Sequence, residues 1–439
     1  MSHITDPIHA ALVELRSDRG RMAIADALTR WTGLKVQVET AVAWTTYRPH
    51  RKGRIVLELT VTIAGGRPEA RQMMFVIDPP GSEPQPFDGT DLPDDVFPPL
   101  RISPWNATGW TVPHVPRPAG LADLLRRTTL ADMLGCSIES VGEPELVRLV
   151  PMRRSLIRTA VGDGTVFVKS FAGERSFHRS VAGLQAACDL PVAVPDLLAV
   201  DTERLTFVMR GLPGVELSSL VGCDDFNKAL HATGTALAGV HQSEAALPCH
   251  RSGAAEIEDI TQLLVADLAA IEPRLAGRIE AVADQLTREY KTLEPVATAP
   301  IHGKCFGDQI LYDATTGRIA IVDWDDAKKG DPHFDLGRLI AHLGFLAATE
   351  EQAIRLGPLL DGYRKNHSRI CPRRLHWHVA AAMLLRGKIS LLRPLADEWY
   401  DRLARLVDLV ETLLEPDATS RDDVDALLAA VTSPKGPTR

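Results

Sequence analysis

One stretch of this chain concentrates the side chains that can do chemistry: IHGKCFGDQILYDATTGRIAIVDWDDAKKGDPHFDL, residues 301–336. A loop carrying Lys304, Cys305 and Asp308 leads through Gln309 into a short apolar run, Gly317 marks a turn, and a second apolar run ends in Asp323, Asp325 and Asp326. Two facing strands would gather these carboxylates and an amide oxygen at one end of a hairpin. That set suits a hard cation, because Mg²⁺ takes one or two carboxylates together with phosphate oxygens. A surface hairpin with solvated acids has the same composition, and the segment alone leaves both readings open. Cys305 is either a reactive thiol or a buried, inert one.

Other elements must hold that segment in place. Residues 7–32 carry apolar side chains at helical spacing. RIVLELTVTI (54–63) alternates apolar and polar residues as a half-buried strand does, and Gly65-Gly66 turns it toward MMFVI (73–77) to close a hairpin. Residues 79–118 hold eleven prolines and the acids Asp88, Asp91, Asp94 and Asp95, which reads as an irregular connector. The acids would be solvated or bind a cation. Leu121–Leu134 suggests a helix, and a second hairpin follows, LVRLVPMRRSLIRTAV, Gly162-Asp163-Gly164 and TVFVKSF. The basic entries Pro49-His50-Arg51-Lys52 and Pro151-Met152-Arg153-Arg154 record either an internal duplication or chance. From 172 onward helical patterns dominate, at 174–187, 226–244, 255–291, 333–348, 351–366 and 374–414, with short strands at 205–209, 309–313 and 318–324. A β-rich lobe before a helical one is an α+β arrangement.

The 439 residues carry a net charge of −8, with 45% hydrophobic and 24% charged side chains. That length suggests two or three domains. The acidic balance argues against a general nucleic-acid partner. The start lacks a signal-peptide pattern, and no run approaches the ~18 apolar residues of a membrane span. Six scattered cysteines fit reduced thiols. A cytoplasmic location without membrane contact is expected.

The order of the motifs resembles the aminoglycoside phosphotransferase and choline-kinase-like family. HG-x5-DQ-IL, IVDWDDA and GDP-x-FDL follow one another; VFVKSF, LTFVMRGLPGVEL and GTALAGVHQSE precede them in the family's order. The resemblance covers about residues 145–414. It implies a two-lobed protein-kinase-like fold with an additional N-terminal α/β domain. The expected division is a helix and hairpin at 1–78, a Pro-rich connector at 79–120, an N-lobe at 121–212, a helical C-lobe at 213–414 and a tail at 415–439. It further implies ATP and Mg²⁺ as cofactors, Lys169 on the nucleotide phosphates, Met209 in the hinge-like segment beside the nucleotide, and Asp323 with Gln309 (in place of the family's asparagine) on the metal. His302 and Asp335 would hold the loop. Among the other candidates, His376 and His378 flank Trp377 on opposite sides of a helix and form no chelating pair.

The departures bear on activity. Lys304 stands where the family's catalytic aspartate is expected, and an ammonium has no lone pair with which to accept a proton. Asp308 is the nearest substitute carboxylate. Ser180 stands where a helix glutamate would pair the strand lysine, leaving Glu174 as the only nearby acid on that helix. Arg153 and Arg154 replace a glycine-rich phosphate loop and would grip phosphate or form surface salt bridges. Two functions compete. One is an ATP- and Mg²⁺-dependent phosphotransferase acting on a hydroxyl of a small molecule or peptide. The other is a pseudokinase that binds a nucleotide, a peptide or a partner enzyme. A third possibility makes the N-terminal domain the working part.

Overall fold

The computed structural model describes residues 6–83, 92, 96–247, 250–251, 253–260, 264–349, 354–365, 369–396, 398–414 and 424–432. Asp88, Asp91, Asp94 and Asp95 lie outside the described residues. Two helices, α1 (Pro7–Leu15) and α2 (Asp18–Thr32), replace the single helix expected at 7–32. The break falls at Ser17, whose hydroxyl accepts from the Arg19 amide and caps α2. A side chain that satisfies an orphan amide favours a fresh helix start over continuation.

Strands β1 (Val36–Arg48), β2 (Lys52–Ile63), β3 (Glu69–Ile77), β4 (Leu100–Ile102) and β5 (Ala107–Thr111) form one antiparallel sheet in the order β1-β2-β3-β5-β4. The alternation seen in 54–63 decides its faces. Ile55, Leu57 and Leu59 pack with Ile8, Leu12 and Leu28 on the helix side. Val56, Met74, Val76 and Trp110 point the other way. The stretch 79–118 was expected to be irregular throughout, and here the expectation fails. It supplies β4 and β5, because its prolines flank these strands (98, 99, 104, 113) and do not interrupt them.

After α3 (Leu121–Leu124) and α4 (Arg127–Leu134) comes a second antiparallel sheet. It contains β6 (Glu145–Val150), β7 (Arg154–Val161), β8 (Gly164–Phe171), β9 (Leu197–Asp201) and β10 (Thr206–Arg210), ordered β6-β7-β8-β10-β9, with α5 (Glu174–Ala187) between β8 and β9. The order repeats that of the first sheet. So does the first turn: Arg48 pairs Lys52 across Pro49-His50-Arg51, and Val150 pairs Arg154 across Pro151-Met152-Arg153. The middle residues share a left-handed backbone, with φ of 52° at His50 and 59° at Met152. A common strand order and a common strained turn are the features of a duplicated β unit. The two sheets share a core in which Val56, Met74 and Trp110 meet Ile157, Val166, Val168 and Val208, with Leu124 and Leu130 beside them.

The C-lobe begins with α6 (Phe226–Gln242) and a small sheet built from Val215–Glu216, Ile310–Asp313 and Arg318–Ile321. The pattern at 255–291 breaks into Gly253–Ile260, Ala266–Ala269 and Pro273–Tyr290. That at 374–414 divides into Pro372–Gly387, a π-helical turn Lys388–Leu392 and Trp399–Leu413, with Pro394 in the gap blocking a continuous helix. His376 and His378 are both buried, and His378 Nε2 lies 3.1 Å from Asp331, so neither is a free ligand. No described helix is long and apolar enough to cross a membrane.

Candidate active site

β8 carries Lys169 opposite Leu156 and Phe207, on the sheet face turned away from the shared core. Its side chain is buried, and its ammonium meets Asp323 at 2.5 Å and the two Asp325 oxygens at 2.7 and 2.8 Å. Ser180, on α5, donates a short hydrogen bond to Asp325, and Arg154 Nη1 binds the same carboxylate at 2.9 Å. The acid expected on the helix is therefore supplied by the 323–326 turn, and Ser180 orients it. Glu174 is exposed at the start of α5, so the expectation of a substitute there is corrected. Close approach explains the exchange. At Gly183, one turn beyond Ser180, a Cβ would lie 2.2 Å from the Trp324 carbonyl oxygen. α5 thus sits too near the turn to leave room for a longer acid.

Asp323 adopts a left-handed backbone with φ of 65°, a strain that persists where surrounding structure over-determines it. Gln309 Nε2 donates to its Oδ2 at 3.2 Å, and Lys304 Nζ lies 3.6 Å from that oxygen and 3.7 Å from Asp326. Arg179 stands 3.6 Å from Asp326. Burial pushes the Asp323 carboxyl up, but Lys169, Lys304 and Arg154 outweigh it and hold the group well below the carboxylate range. Asp326 shifts down likewise: burial opposes, and Lys304, Lys328 and Arg179 prevail. Gln309 Oε1 is buried and accepts from no described residue, so an oxygen beside Asp323 is left open.

The loop is held from beneath. Asp335 accepts from the amides of His302 (2.6 Å) and Gly303 (2.8 Å), and His241 bridges Asp335 to the Tyr363 hydroxyl at 3.3 and 2.9 Å. Gly303 has φ of 76°, and a Cβ there would lie 2.3 Å from the Asp326 carbonyl oxygen. These are the scaffold roles expected of His302 and Asp335. The Gly307 amide donates to His342 Nδ1 at 2.8 Å, so that nitrogen must be unprotonated. Burial, aided by Arg386, pushes His342 down to about 3. An unfolded histidine takes up its proton near 6.5, so stability from the neutral ring is full above that pH and fades as pH falls toward 3. Urea midpoints are expected to drop between pH 6.5 and 4, and His342→Gln should flatten that slope; an equal slope in both proteins would refute the assignment.

Three expected residues form no hydrogen bond or ion pair with the cluster among the described residues. Asp308 is exposed on the turn 307–309, and none of its side-chain contacts reaches Lys304 or Asp323. Met209 lies half-buried on β10, two residues from Phe207 and so on the same sheet face as Lys169. Arg153 forms no ion pair with a described residue, unlike Arg154. Cys305 is fully buried, and burial pushes its thiol well above its ordinary value, which settles the choice for an inert cysteine. The roles of Ser180, Arg179 and Asp325 had no sequence signal beyond the row of acids, because their pairing depends on how α5 docks.

Residues 153–372, about half of the chain, match the profile described as the phosphotransferase enzyme family. Among solved structures, a choline/ethanolamine kinase family protein from Mesorhizobium loti is 21% identical, with 70% of this chain and 97% of that one aligned and a TM-score of 0.48. A thermostable mutant of aminoglycoside phosphotransferase APH(4)-Ia, in complex with ADP and hygromycin B, is 15% identical, covering 66% and 98% with a TM-score of 0.49. A putative aminoglycoside phosphotransferase from Ralstonia eutropha is 16% identical, covering 67% and 97% with a TM-score of 0.46. No curated protein matches the sequence.

Proposed function

The chain belongs to the phosphotransferase enzyme family, and from that premise we propose that it binds ATP between its two kinase-like lobes but transfers phosphate poorly, as a pseudokinase. The observation that carries this reading is the Lys304 ammonium, 3.6 Å from Asp323 and 3.7 Å from Asp326, in the place of the carboxylate that would orient and deprotonate an acceptor hydroxyl. An ammonium has no lone pair with which to accept a proton, so it cannot take the part of that carboxylate.

Nucleotide binding has its parts. Lys169 is held in position by Asp325 and Ser180, and it meets the α- and β-phosphates as the strand lysine of kinase-like folds does. Arg154 adds a second cation at the same place. The Asp323 carboxylate and the unpartnered Gln309 Oε1 fit the small oxygen set that Mg²⁺ uses alongside phosphate oxygens. Bound there, the ion would neutralise charge between the phosphates. The second ligand is a small molecule, a peptide or a partner enzyme recognised beside the nucleotide.

Calorimetric titration with Mg²⁺-ATP tests the reading. Lys169→Met is expected to weaken binding about ten- to a hundred-fold, the worth of charge-assisted hydrogen bonds to phosphate. Equal affinity in wild type and variant, or no binding in wild type, would overturn it.

A further inference from the structure

We propose that the junction between the N-terminal sheet, the β6–β7 turn and the C-lobe segment 388–393 is a second anion site, taking a ligand that carries a phosphate or pyrophosphate group. Four arginines border that junction, Arg48 and Arg153 exposed and Arg54 and Arg393 half-buried. Arg48 and Arg54 lie on one face of the first sheet, because Arg48 pairs Lys52 and Arg54 pairs Thr46 in the same register, and that face is continuous with Val56 of the shared core. Arg153 stands on the equivalent turn of the second sheet. Arg393 arrives from the C-lobe, its carbonyl accepting from the Tyr47 amide, one residue before Arg48, at 2.7 Å.

The acids nearby are already used. Lys52 takes Asp78 at 2.9 Å, Lys388 takes Asp267 at 2.9 Å, and His50 lies 3.8 Å from Asp6. None of the four arginines forms an ion pair with a described residue, and the Nε atoms of Arg54 and Arg393 are buried without a partner. Burial pushes Arg54, Arg153 and Arg393 below the usual guanidinium value, and each feels Arg48 as a repulsive neighbour. Like charges gathered in a chain of net charge −8 repel one another, and an anion among them would relieve that repulsion. Guanidinium forks match phosphate bidentately. Arg154, next in sequence to Arg153, faces Asp325, so the site adjoins the nucleotide site yet is made of different side chains.

The probe is inorganic pyrophosphate, titrated at low salt against the full chain and followed by calorimetry and thermal unfolding. Binding is expected to survive Lys169→Met and to weaken about ten-fold or more in the Arg48→Gln, Arg393→Gln double variant. Without pyrophosphate, that double variant should unfold at a higher temperature than wild type, as repulsion is relieved. Arg153→Gln, on a turn, gives the same test with little risk to folding. Repeating the titration with a saturating non-hydrolysable ATP analogue separates the sources. Undiminished binding assigns the site to a free phosphate compound, and arginine-dependent competition assigns it to the nucleotide's own terminal phosphates. No pyrophosphate binding, or binding lost in Lys169→Met but unchanged in the arginine variants, would overturn the proposal.

Discussion

Lys304→Asp is expected to raise phosphoryl transfer from ATP to water by about 10²–10⁴-fold, the usual contribution of a positioned general base. The exchange does two things at once. It places a carboxylate where an acceptor hydroxyl must be oriented, and it removes the ammonium that pairs with Asp323 and Asp326. Three carboxylates are then left around one space with fewer cations, so affinity for metal-free nucleotide should fall and dependence on Mg²⁺ should rise. Lys304→Met separates the two effects, since it removes the charge without adding a base and should leave the rate near that of wild type. Single-turnover ADP formation measures all three proteins. If wild type already turns over as fast as Lys304→Asp, the chain is an ordinary phosphotransferase and the pseudokinase reading is wrong.

Asp325→Ala should lower stability by about 3–5 kcal/mol, the range found when one partner of a buried ion pair is removed. Asp325 is only 6% exposed and binds Lys169, Arg154 and Ser180 together, so its loss leaves the buried ammonium to Asp323 alone and takes the close partner from a guanidinium and a hydroxyl. Urea denaturation reads the change. Adding Ser180→Glu returns an acid to the helix, but α5 lies too near the turn to seat it, so little of the loss should be recovered. Should Asp325→Ala unfold at the wild-type midpoint, the carboxylate is not what holds Lys169.

The site was legible in the chain where chemistry is local. Lys169, Asp323, Gln309, His302 and Asp335 sit in short motifs whose order along the sequence is itself information, and apart from Lys169 they are set close together on one loop, one hairpin and the start of the helix that follows. What stayed hidden depends on docking. Asp325 was visible as one acid in a row of three, but only the approach of α5, permitted by Gly183, makes it the partner of Lys169. The strands β4 and β5 were masked by eleven prolines, since composition registers how many there are and not that they fall between the strands. The arginine cluster could not be foreseen at all. Its members are 345 positions apart at the extremes, Arg48 and Arg393, and no local pattern records such a meeting.

The N-terminal sheet has a mechanical consequence. It grips one lobe through the apolar face it shares with β7, β8 and β10, and on its helix-covered side it joins a core continuous with the C-lobe, where the Tyr47 amide donates to the Arg393 carbonyl and Arg16, just past α1, donates to the Leu395 carbonyl at 3.2 Å. A body fastened on both sides of a cleft behaves as a brace. Closure of the lobes would have to bend that brace or shift its contacts with the C-lobe. Any opening and shutting of the cleft would thereby be coupled to residues 388–395, far along the chain from every motif proposed to touch a nucleotide.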